Sequence, residues 1–189
     1  MDRKTVIIES ARLLFMRYGL RKTTTDDIAG KARVSKATIY KYYKNKEEIF
    51  NEVIEFEAEE LWKSILKAVD KEKTVREKLR ARFLAKIGKI HELINFYGIT
   101  RETWKEYRPH IADVRERILA KDKELVLDIL SLGNKANEFQ VDRGELLSHL
   151  IVVSLQPLEY PWELSDQEIS LPHLADFMVD LMLNGIRKR

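Results

Sequence analysis

Four lysines and three tyrosines lie within residues 36–46, the part of the sequence whose side chains and spacing best suit a defined chemistry. A single lysine is usually a solvated surface charge, and tyrosines at helical spacing are usually core residues. This many ammonium and phenol groups in one short segment is harder to explain in that way. Both groups donate hydrogen bonds to phosphate oxygens, and ammonium groups also donate to guanine edges. The segment therefore indicates a surface that binds a nucleic acid.

Two short helices separated by a tight turn are predicted to position these side chains. Thr25 is a suitable N-cap for the first helix, and the acidic pair 26–27 suits the positive end of its dipole. Ser35 is a suitable N-cap for the second helix. Ile39 and Tyr43 lie four residues apart and can face a core, which leaves the lysines on the other faces.

A third helix is predicted to follow at once, with Asn45 as its N-cap and Glu48 three residues later in a variant of the capping box. Lys46 then lies in its first turn, beside free backbone N–H groups. A phosphate bound there would meet both an ammonium group and the positive end of a helix dipole. The apolar period continues from this cap to about Val69, which predicts one long helix.

On these residues the chain resembles the TetR/AcrR family of transcriptional regulators. The resemblance covers the first quarter of the chain, and its motif is carried by Ile7, Ile8, Ala11, Leu14, Phe15, Gly19, Thr24, Thr25, Asp27, Ile28, Ala29, Val34, Ser35, Thr38, Ile39, Tyr40, Tyr43 and residues 46–49. Two positions depart from it: Arg33 replaces the usual turn glycine, and Tyr43 replaces the usual phenylalanine. We expect Arg33 to adopt a left-handed conformation at some energetic cost.

The resemblance implies a DNA surface built on the second and third helices of a helix-turn-helix. Thr25 and Tyr42 would contact phosphates, and Lys46 would anchor another phosphate. Lys36 and Lys41 would donate to guanine O6 or N7 in the major groove. The complete set of implied DNA-binding residues is Thr25, Ser35, Lys36, Ala37, Thr38, Tyr40, Lys41, Tyr42 and Lys46.

Composition and charge agree with this assignment. The net charge of +3 over 189 residues hides an asymmetry, because residues 1–50 carry 12 Lys/Arg against 6 Asp/Glu. A positive N-terminal region attracts DNA through counterion release. The chain has no cysteine, which excludes disulfides and thiol catalysis. No signal peptide or membrane-spanning run is recognisable, and we expect a cytoplasmic protein.

The whole chain is predicted to be all-α, with about nine helices. Residues 1–47 would form a three-helix helix-turn-helix domain, and residues 48–189 a larger helical domain for effector binding and dimerisation. Apolar periodicity and Gly/Pro punctuation predict a helix near 75–90 and a long one from roughly Pro109 to Leu132.

The last two predicted helices are broadly apolar, so that one side of each can face the core and the other a partner. In the resembled family the final two helices of each subunit form a dimer interface, and a homodimer is expected here. The alternative is that both helices line a monomer core. The candidate interface residues are Leu147, Leu150, Ile151, Ser154, Leu174, Phe177, Met178, Leu181 and Gly185.

Aromatic residues in the second domain suggest a pocket for a small apolar or aromatic effector, because such pockets combine aromatic walls with a few polar groups. The same residues are also what any helical core contains, and the sequence leaves both interpretations open. The candidates are Phe83, His91, Phe96, Tyr97, Trp104, Tyr107, His110 and Trp162.

Catalytic motifs are missing from the sequence. The four histidines form no ligand cluster, and there is no glycine-rich phosphate loop or Gly-x-Ser-x-Gly elbow. We expect no enzyme activity, no metal and no cofactor. The resemblance implies a ligand-responsive repressor that binds a near-palindromic operator as a homodimer. The alternative is a DNA-binding adaptor or nucleoid-associated protein of the same fold without a small-molecule effector.

Overall fold

The structure is a computed structural model that describes residues 2–163 and 170–186, with side-chain surroundings given up to residue 184. The all-α prediction is confirmed, although the described residues form eight α-helices and two short 3-10 helices rather than about nine helices. The α-helices are α1 Arg3–Lys22, α2 Thr25–Ala32, α3 Lys36–Tyr42, α4 Lys46–Asp70, α5 Val75–Phe96, α6 Trp104–Lys135, α7 Gly144–Ser154 and α8 Leu171–Ile186; the 3-10 helices are Gln156–Glu159 and Pro161–Glu163.

The chain folds into two compact units, each formed by two separate stretches of sequence. The first unit combines Met1–Glu59 with Leu93–Val114, and the second combines Glu60–Glu92 with Arg115–Arg189. The segment 93–114 belongs to the first unit because its Tyr97 and Tyr107 are buried in that unit's core. Sequence periodicity shows that these residues have an inward face, but it does not show which core they enter.

The core of the first unit is aromatic and β-branched. Ile7 and Phe15 of α1 are fully buried together with Ile28 of α2 and Ile39 of α3. The ring of Phe15 meets that of Phe50 edge to face, with centroids 5.0 Å apart. This core fixes α2 and α3, the two helices of the predicted DNA-binding motif, on the longer helices α1 and α4.

The cap of α2 is Thr24, so the assignment of Thr25 as the N-cap was wrong by one residue. The Thr24 hydroxyl accepts the Asp27 backbone N–H at 3.1 Å, and the Asp27 carboxylate accepts the Thr24 backbone N–H at 2.9 Å. This reciprocal pair is a capping box that satisfies two free donors. The Thr24 hydroxyl also donates to the Asp27 carboxylate at 2.6 Å, and this hydrogen bond, followed by the one from the Thr24 backbone N–H, lowers the pKa of Asp27. Thr25 becomes the first helical residue.

Arg33 adopts the expected left-handed conformation, with φ 55° and ψ 42°. Its backbone N–H closes the end of α2 by donating to the carbonyls of Ala29 and Gly30. This conformation turns the chain sharply enough for Ser35 to start α3 three residues after α2 ends. An arginine has a Cβ that opposes such a conformation, whereas a glycine does not.

Replacing Arg33 with glycine is expected to raise the free energy of unfolding by about 1 kcal/mol, since a left-handed non-glycine residue carries strain of that order. Chemical denaturation followed by circular dichroism measures the difference. The matched control is Arg33→Ala, which removes the same guanidinium group but keeps a Cβ. Equal stabilities for the two variants would contradict the explanation by backbone strain.

The α6 helix begins at Trp104 and not near Pro109 as predicted. Thr100 and Thr103 start it, because the Thr103 backbone N–H donates to the Thr100 hydroxyl at 3.3 Å and the Thr100 backbone N–H donates to the Thr103 hydroxyl at 2.9 Å. Pro109 therefore lies inside the helix, where it lacks the N–H for one hydrogen bond. A cap of two threonines is a weaker sequence signal than a proline, which explains the error.

The second unit is built around a separate apolar core. Buried residues of α4, α5 and α6 form its centre, including Ile65, Phe83 and Ile129. Helices α7 and α8 each bury one face in this same core, with Ile151 and Val179 among the buried residues. Because neither helix is buried all round, each leaves another face exposed.

Candidate nucleic-acid interface

Helix α3 has the two faces that the sequence predicted. The Ser35 hydroxyl caps it by accepting the Thr38 backbone N–H at 3.1 Å, and the two side-chain hydroxyls lie 2.8 Å apart. Ile39 on its inner face and the C-cap residue Tyr43 are buried. The exposed residues of the helix and its cap are Ser35, Lys36, Ala37, Tyr40, Lys41 and Tyr42. The structure thus brings most of the predicted DNA-binding side chains onto one short, capped helix.

Lys36 and Asp26 form an ion pair across the helix-turn-helix, with the ammonium nitrogen 2.9 Å from a carboxylate oxygen. The hydrogen bond from Lys36 to Asp26, together with the attraction of its charge, raises the pKa of Lys36. Sequence reasoning assigned Asp26 only to the dipole of α2. No local pattern signals this pair, because its members are ten residues apart on different helices.

Lys46 lies at the first position of α4, as predicted, and Asn45 is its cap. The Glu48 backbone N–H donates to Asn45 Oδ1 at 2.8 Å, which confirms the assignment. The Lys46 ammonium donates to the carbonyl oxygens of Leu20 at 2.7 Å and Arg21 at 3.3 Å. It thereby ties the start of α4 to the end of α1. Contact of Lys46 with a phosphate stays a prediction.

Five of the eight residues predicted for a pocket lie in the first unit: Phe96, Tyr97, Trp104, Tyr107 and His110. Tyr107 is buried, with its ring 5.8 Å from that of Phe50, and His110 Nδ1 lies 2.9 Å from Asn51 Oδ1. The Tyr97 hydroxyl donates to Glu57 at 2.7 Å. These packing and hydrogen-bonding roles favour the core interpretation for Tyr97, Tyr107 and His110.

Glu57 is a buried carboxylate that sequence reasoning missed. It accepts hydrogen bonds from the Arg12 guanidinium group of α1 at 2.5 Å and from the Tyr97 hydroxyl. Burial and then this hydrogen bond to Glu57 raise the pKa of Tyr97. The Arg12 guanidinium also lies 5.1 Å from the centre of the Phe96 ring. Glu57 therefore joins α1, α4 and the segment after α5 within the first unit.

The other three pocket candidates lie in the second unit. Phe83 is buried in the apolar core, His91 Nε2 lies 2.9 Å from the Leu158 carbonyl oxygen, and Trp162 stacks on Tyr160 with ring centroids 5.3 Å apart. His91 and Trp162 are only partly buried. A ligand contact by these three residues stays a prediction.

A cluster of charged side chains crosses the core of the second unit. Arg82 forms a bidentate ion pair with Asp122, whose carboxylate also accepts the Lys86 ammonium at 2.9 Å. Lys86 lies 2.8 Å from Glu159, which also pairs with Arg115 at 3.0 Å. Arg82, Lys86, Asp122 and Glu159 are all buried. Burial alone would raise the pKa of Asp122, but the charges and hydrogen bonds of Arg82 and Lys86 lower it.

The sequence contained a signal for this charged cluster. Arg82 and Lys86 are four residues apart, beside the apolar positions Leu79, Phe83 and Ile87 of the same helix. Two cations on the apolar side of a helix indicate buried partners, because buried charges are paired. The identity of those partners, on other helices, was not accessible to such reasoning.

Most of the candidate interface residues on α7 and α8 are exposed or partly exposed to solvent. Leu150, Phe177 and Leu181 are 56%, 65% and 59% exposed. Ser154 is exposed as well, and Leu147, Leu174 and Met178 are partly buried. Ile151 is a correction, because it is buried in the core and offers no surface to a partner. Gly185 lies in the last turn of α8, and its surroundings are outside the described residues.

Within residues 2–163 and 170–186, none of the helices combines the length and the apolar character that a membrane span requires. No group of three or more His, Asp or Glu side chains in that part of the chain could hold a metal ion.

Comparison with known proteins gives matches to the motif and to the full length. The family described as "Bacterial regulatory proteins, tetR family" matches residues 7–53. YhgD of Bacillus subtilis, described as an uncharacterized HTH-type transcriptional regulator, is 36% identical over 98% of this chain and 97% of its own length. The fatty acid metabolism regulator protein of B. subtilis is 25% identical over 97% of this chain and 95% of its own. A transcriptional regulator of Cytophaga hutchinsonii shares the fold, with a TM-score of 0.76, 22% identity and coverage of 97% and 98% of the two chains.

Proposed function

Because the chain belongs to the tetR family of bacterial regulatory proteins and is therefore a DNA-binding transcriptional regulator, we propose that it is a ligand-responsive repressor. It binds a near-palindromic operator as a homodimer in the cytoplasm. One α3 helix from each subunit enters the major groove. A small molecule bound in the second unit changes the affinity of the dimer for DNA.

The observation that carries this proposal is the sidedness of α3. Ile39 and the C-cap residue Tyr43 are both buried and hold the helix against the core of the first unit. Its exposed residues are cations, tyrosines and the small Ala37. In a helix-turn-helix the second helix reads base edges with its first residues, while other side chains contact phosphates to set the register.

The proposed dimer uses the exposed faces of α7 and α8. Leu150, Phe177 and Leu181 together present an apolar surface that a monomer would leave in water. Burial of apolar area is the main favourable term in subunit association. A two-fold pair of subunits also matches the two half-sites of a palindromic operator, since protein and DNA symmetry correspond.

The proposed effector is a small apolar or aromatic molecule. Molecules that carry an acyl chain are the first class of candidates. The support comes from the name of the fatty acid metabolism regulator protein of B. subtilis, which matches nearly the whole chain. We place the effector in the second unit, where Phe83, His91 and Trp162 are the candidate contacts. Helix α4 contributes residues to both units and is the proposed transmitter.

Coupling between effector and operator is a difference in affinity. A ligand that prefers the weakly binding form of the dimer lowers operator affinity by that preference, on the order of 1–3 kcal/mol, and DNA weakens ligand binding equally. A ligand that binds tightly without changing operator affinity is therefore not the effector.

Selection of bound duplexes from a random library tests the proposal. Purified protein is expected to enrich a near-palindromic consensus, with an affinity that falls steeply as salt rises. Weak binding without a consensus would instead support a DNA-binding adaptor or nucleoid-associated protein of the same fold.

Lys41→Ala and Tyr42→Phe are expected to affect DNA binding in different ways. Loss of the Lys41 ammonium should change the base preferred at one position of each half-site by about 1–3 kcal/mol. Loss of the Tyr42 hydroxyl should weaken binding to every sequence by about 1 kcal/mol, the net value of one hydrogen bond. Titration of each variant against the operator and its point variants makes the comparison. A uniform loss for Lys41→Ala would reassign Lys41 to a phosphate.

A further inference from the structure

Asp26 is an acidic residue beside a surface that is otherwise basic. It lies in the first turn of α2, and its carboxylate is 2.9 Å from the ammonium nitrogen of Lys36, the first residue of α3. Both side chains are accessible, with 64% of Asp26 and 52% of Lys36 exposed. The reading helix therefore begins with a paired donor and acceptor instead of a free cation.

Stability does not explain this pair. Ion pairs between exposed side chains contribute little to folding, because water screens the attraction and two flexible side chains lose freedom. The structural task in this turn is already done by Asp27, which closes the capping box with Thr24. Asp27 also supplies the acidic side chain that stabilises the positive end of the α2 dipole.

On random DNA the pair is unfavourable. The first helix of a helix-turn-helix crosses the DNA backbone, and the first residues of the second helix face the base edges. A carboxylate in this place repels phosphates. It also holds the Lys36 ammonium, which would otherwise neutralise a phosphate and release a counterion.

At a suitable base step the pair becomes favourable. A carboxylate accepts a hydrogen bond from cytosine N4, and an ammonium group donates to guanine O6 or N7. We propose that Asp26 is a specificity-determining residue, which reads a cytosine beside the guanine read by Lys36 and lowers the affinity for all other sequences. This inference rests on the proposed function as an operator-binding regulator.

The mechanism is discrimination through an unfavourable interaction. Specificity is a difference between two affinities, and a carboxylate that repels phosphates and occupies Lys36 on the wrong sequence increases that difference. Removing the Asp26 charge should therefore make binding to random DNA tighter while making the protein less selective. A residue that only supported the fold would have no such effect.

The test compares Asp26→Asn with the full-length wild-type protein on the selected operator and on a scrambled duplex, at several salt concentrations. The affinity ratio of operator to scrambled duplex is expected to fall on the order of tenfold, the discrimination of one base contact. The slope of log affinity against log salt on the scrambled duplex should become steeper by about 0.9, because Lys36 is free to contact a phosphate. Repeated selection with Asp26→Asn should lose the cytosine preference at one position of each half-site.

Asp27→Asn is the matched control, since it removes the same charge from the same turn but leaves the Lys36 pair intact. It is expected to keep the operator preference, as is Asp26→Glu, which keeps the acceptor. Thermal unfolding of each variant shows that it is folded before DNA is added. In the double variant Asp26→Asn/Lys36→Ala, the increase in the salt slope on scrambled DNA should disappear, because no Lys36 ammonium is left to contact a phosphate.

The outcomes separate this inference from the proposed function. A wild-type protein that selects no consensus overturns both. A wild-type consensus with an unchanged affinity ratio and salt slope for Asp26→Asn overturns the inference alone. Equal changes for Asp26→Asn and Asp27→Asn would also overturn it, because they would indicate a general effect of charge.

Discussion

Asp122→Ala is expected to lower the free energy of unfolding by about 3–5 kcal/mol, the usual cost of removing one partner from a buried ion pair. Asp122 is fully buried and accepts hydrogen bonds from both Arg82 and Lys86. Without it, Arg82 loses the carboxylate of its bidentate ion pair, while Lys86 keeps Glu159 as a counter-charge 2.8 Å away. Chemical denaturation of the wild type and of Asp122→Ala at neutral pH measures the difference in the free energy of unfolding. The second unit should lose its structure first.

Asp176→Ala is the matched control for this experiment. Asp176 also pairs with two arginines, Arg76 and Arg80, but all three side chains are partly exposed. The loss in the free energy of unfolding caused by Asp176→Ala should be far smaller, because solvent screens such pairs. Similar losses for Asp122→Ala and Asp176→Ala would contradict the role assigned to burial.

The pH dependence gives a second check on Asp122. Its pKa is lowered in the folded protein, so its carboxylate stabilises the fold fully above the unfolded value of about 3.9. That contribution is lost as pH falls through the folded pKa. The stability difference between the wild type and Asp122→Asn should therefore shrink in acid. A difference that stays constant to the lowest pH at which the protein folds would contradict this assignment.

Phe177→Asp is expected to separate the proposed dimer and to lower operator affinity by about 10²–10⁴-fold, the advantage that linking two binding modules provides. Phe177 is 65% exposed, more than any other large apolar side chain that the structure describes on α8. A carboxylate there would have to be buried without a partner in the dimer, which is costly. In a monomer it would face water. The mass measured by sedimentation and the operator affinity measured by titration should therefore fall together.

Leu132→Asp is the control for Phe177→Asp. Leu132 is an exposed leucine on α6, in the same unit but outside α7 and α8. The same charge placed there should leave the dimer and its operator affinity intact. A monomeric wild-type protein, or a dimer that Phe177→Asp does not weaken, would contradict the proposed interface.

The helix-turn-helix could be predicted from sequence because its signals are local. Ser35 and Asn45 cap their helices through residues three positions away. Arg33 occupies the position of the usual turn glycine, which predicted its left-handed conformation. The burial of Ile39 and Tyr43 follows from helical periodicity. The error at Thr24 is of one residue, in a run of three threonines where each could cap the helix.

The rest depended on contacts between distant residues. Tyr97 and Tyr107 were assigned to the second domain, but the structure places both in the core of the first unit. Arg82 and Asp122 are 40 residues apart, and Lys36 and Asp26 are ten residues apart on different helices. A sequence shows that such side chains need partners, whereas only the fold shows which partners they have.

Two subunits are proposed to bind one palindromic operator, and the mass of the complex on that DNA is the sharpest test of this stoichiometry. Sedimentation equilibrium with the selected operator and with a single half-site would be compared at the same protein concentration. We expect two chains, or a multiple of two, on the full operator and a far weaker complex on the half-site. One chain per duplex, with equal affinity for operator and half-site, would show that the protein does not bind its operator as a dimer.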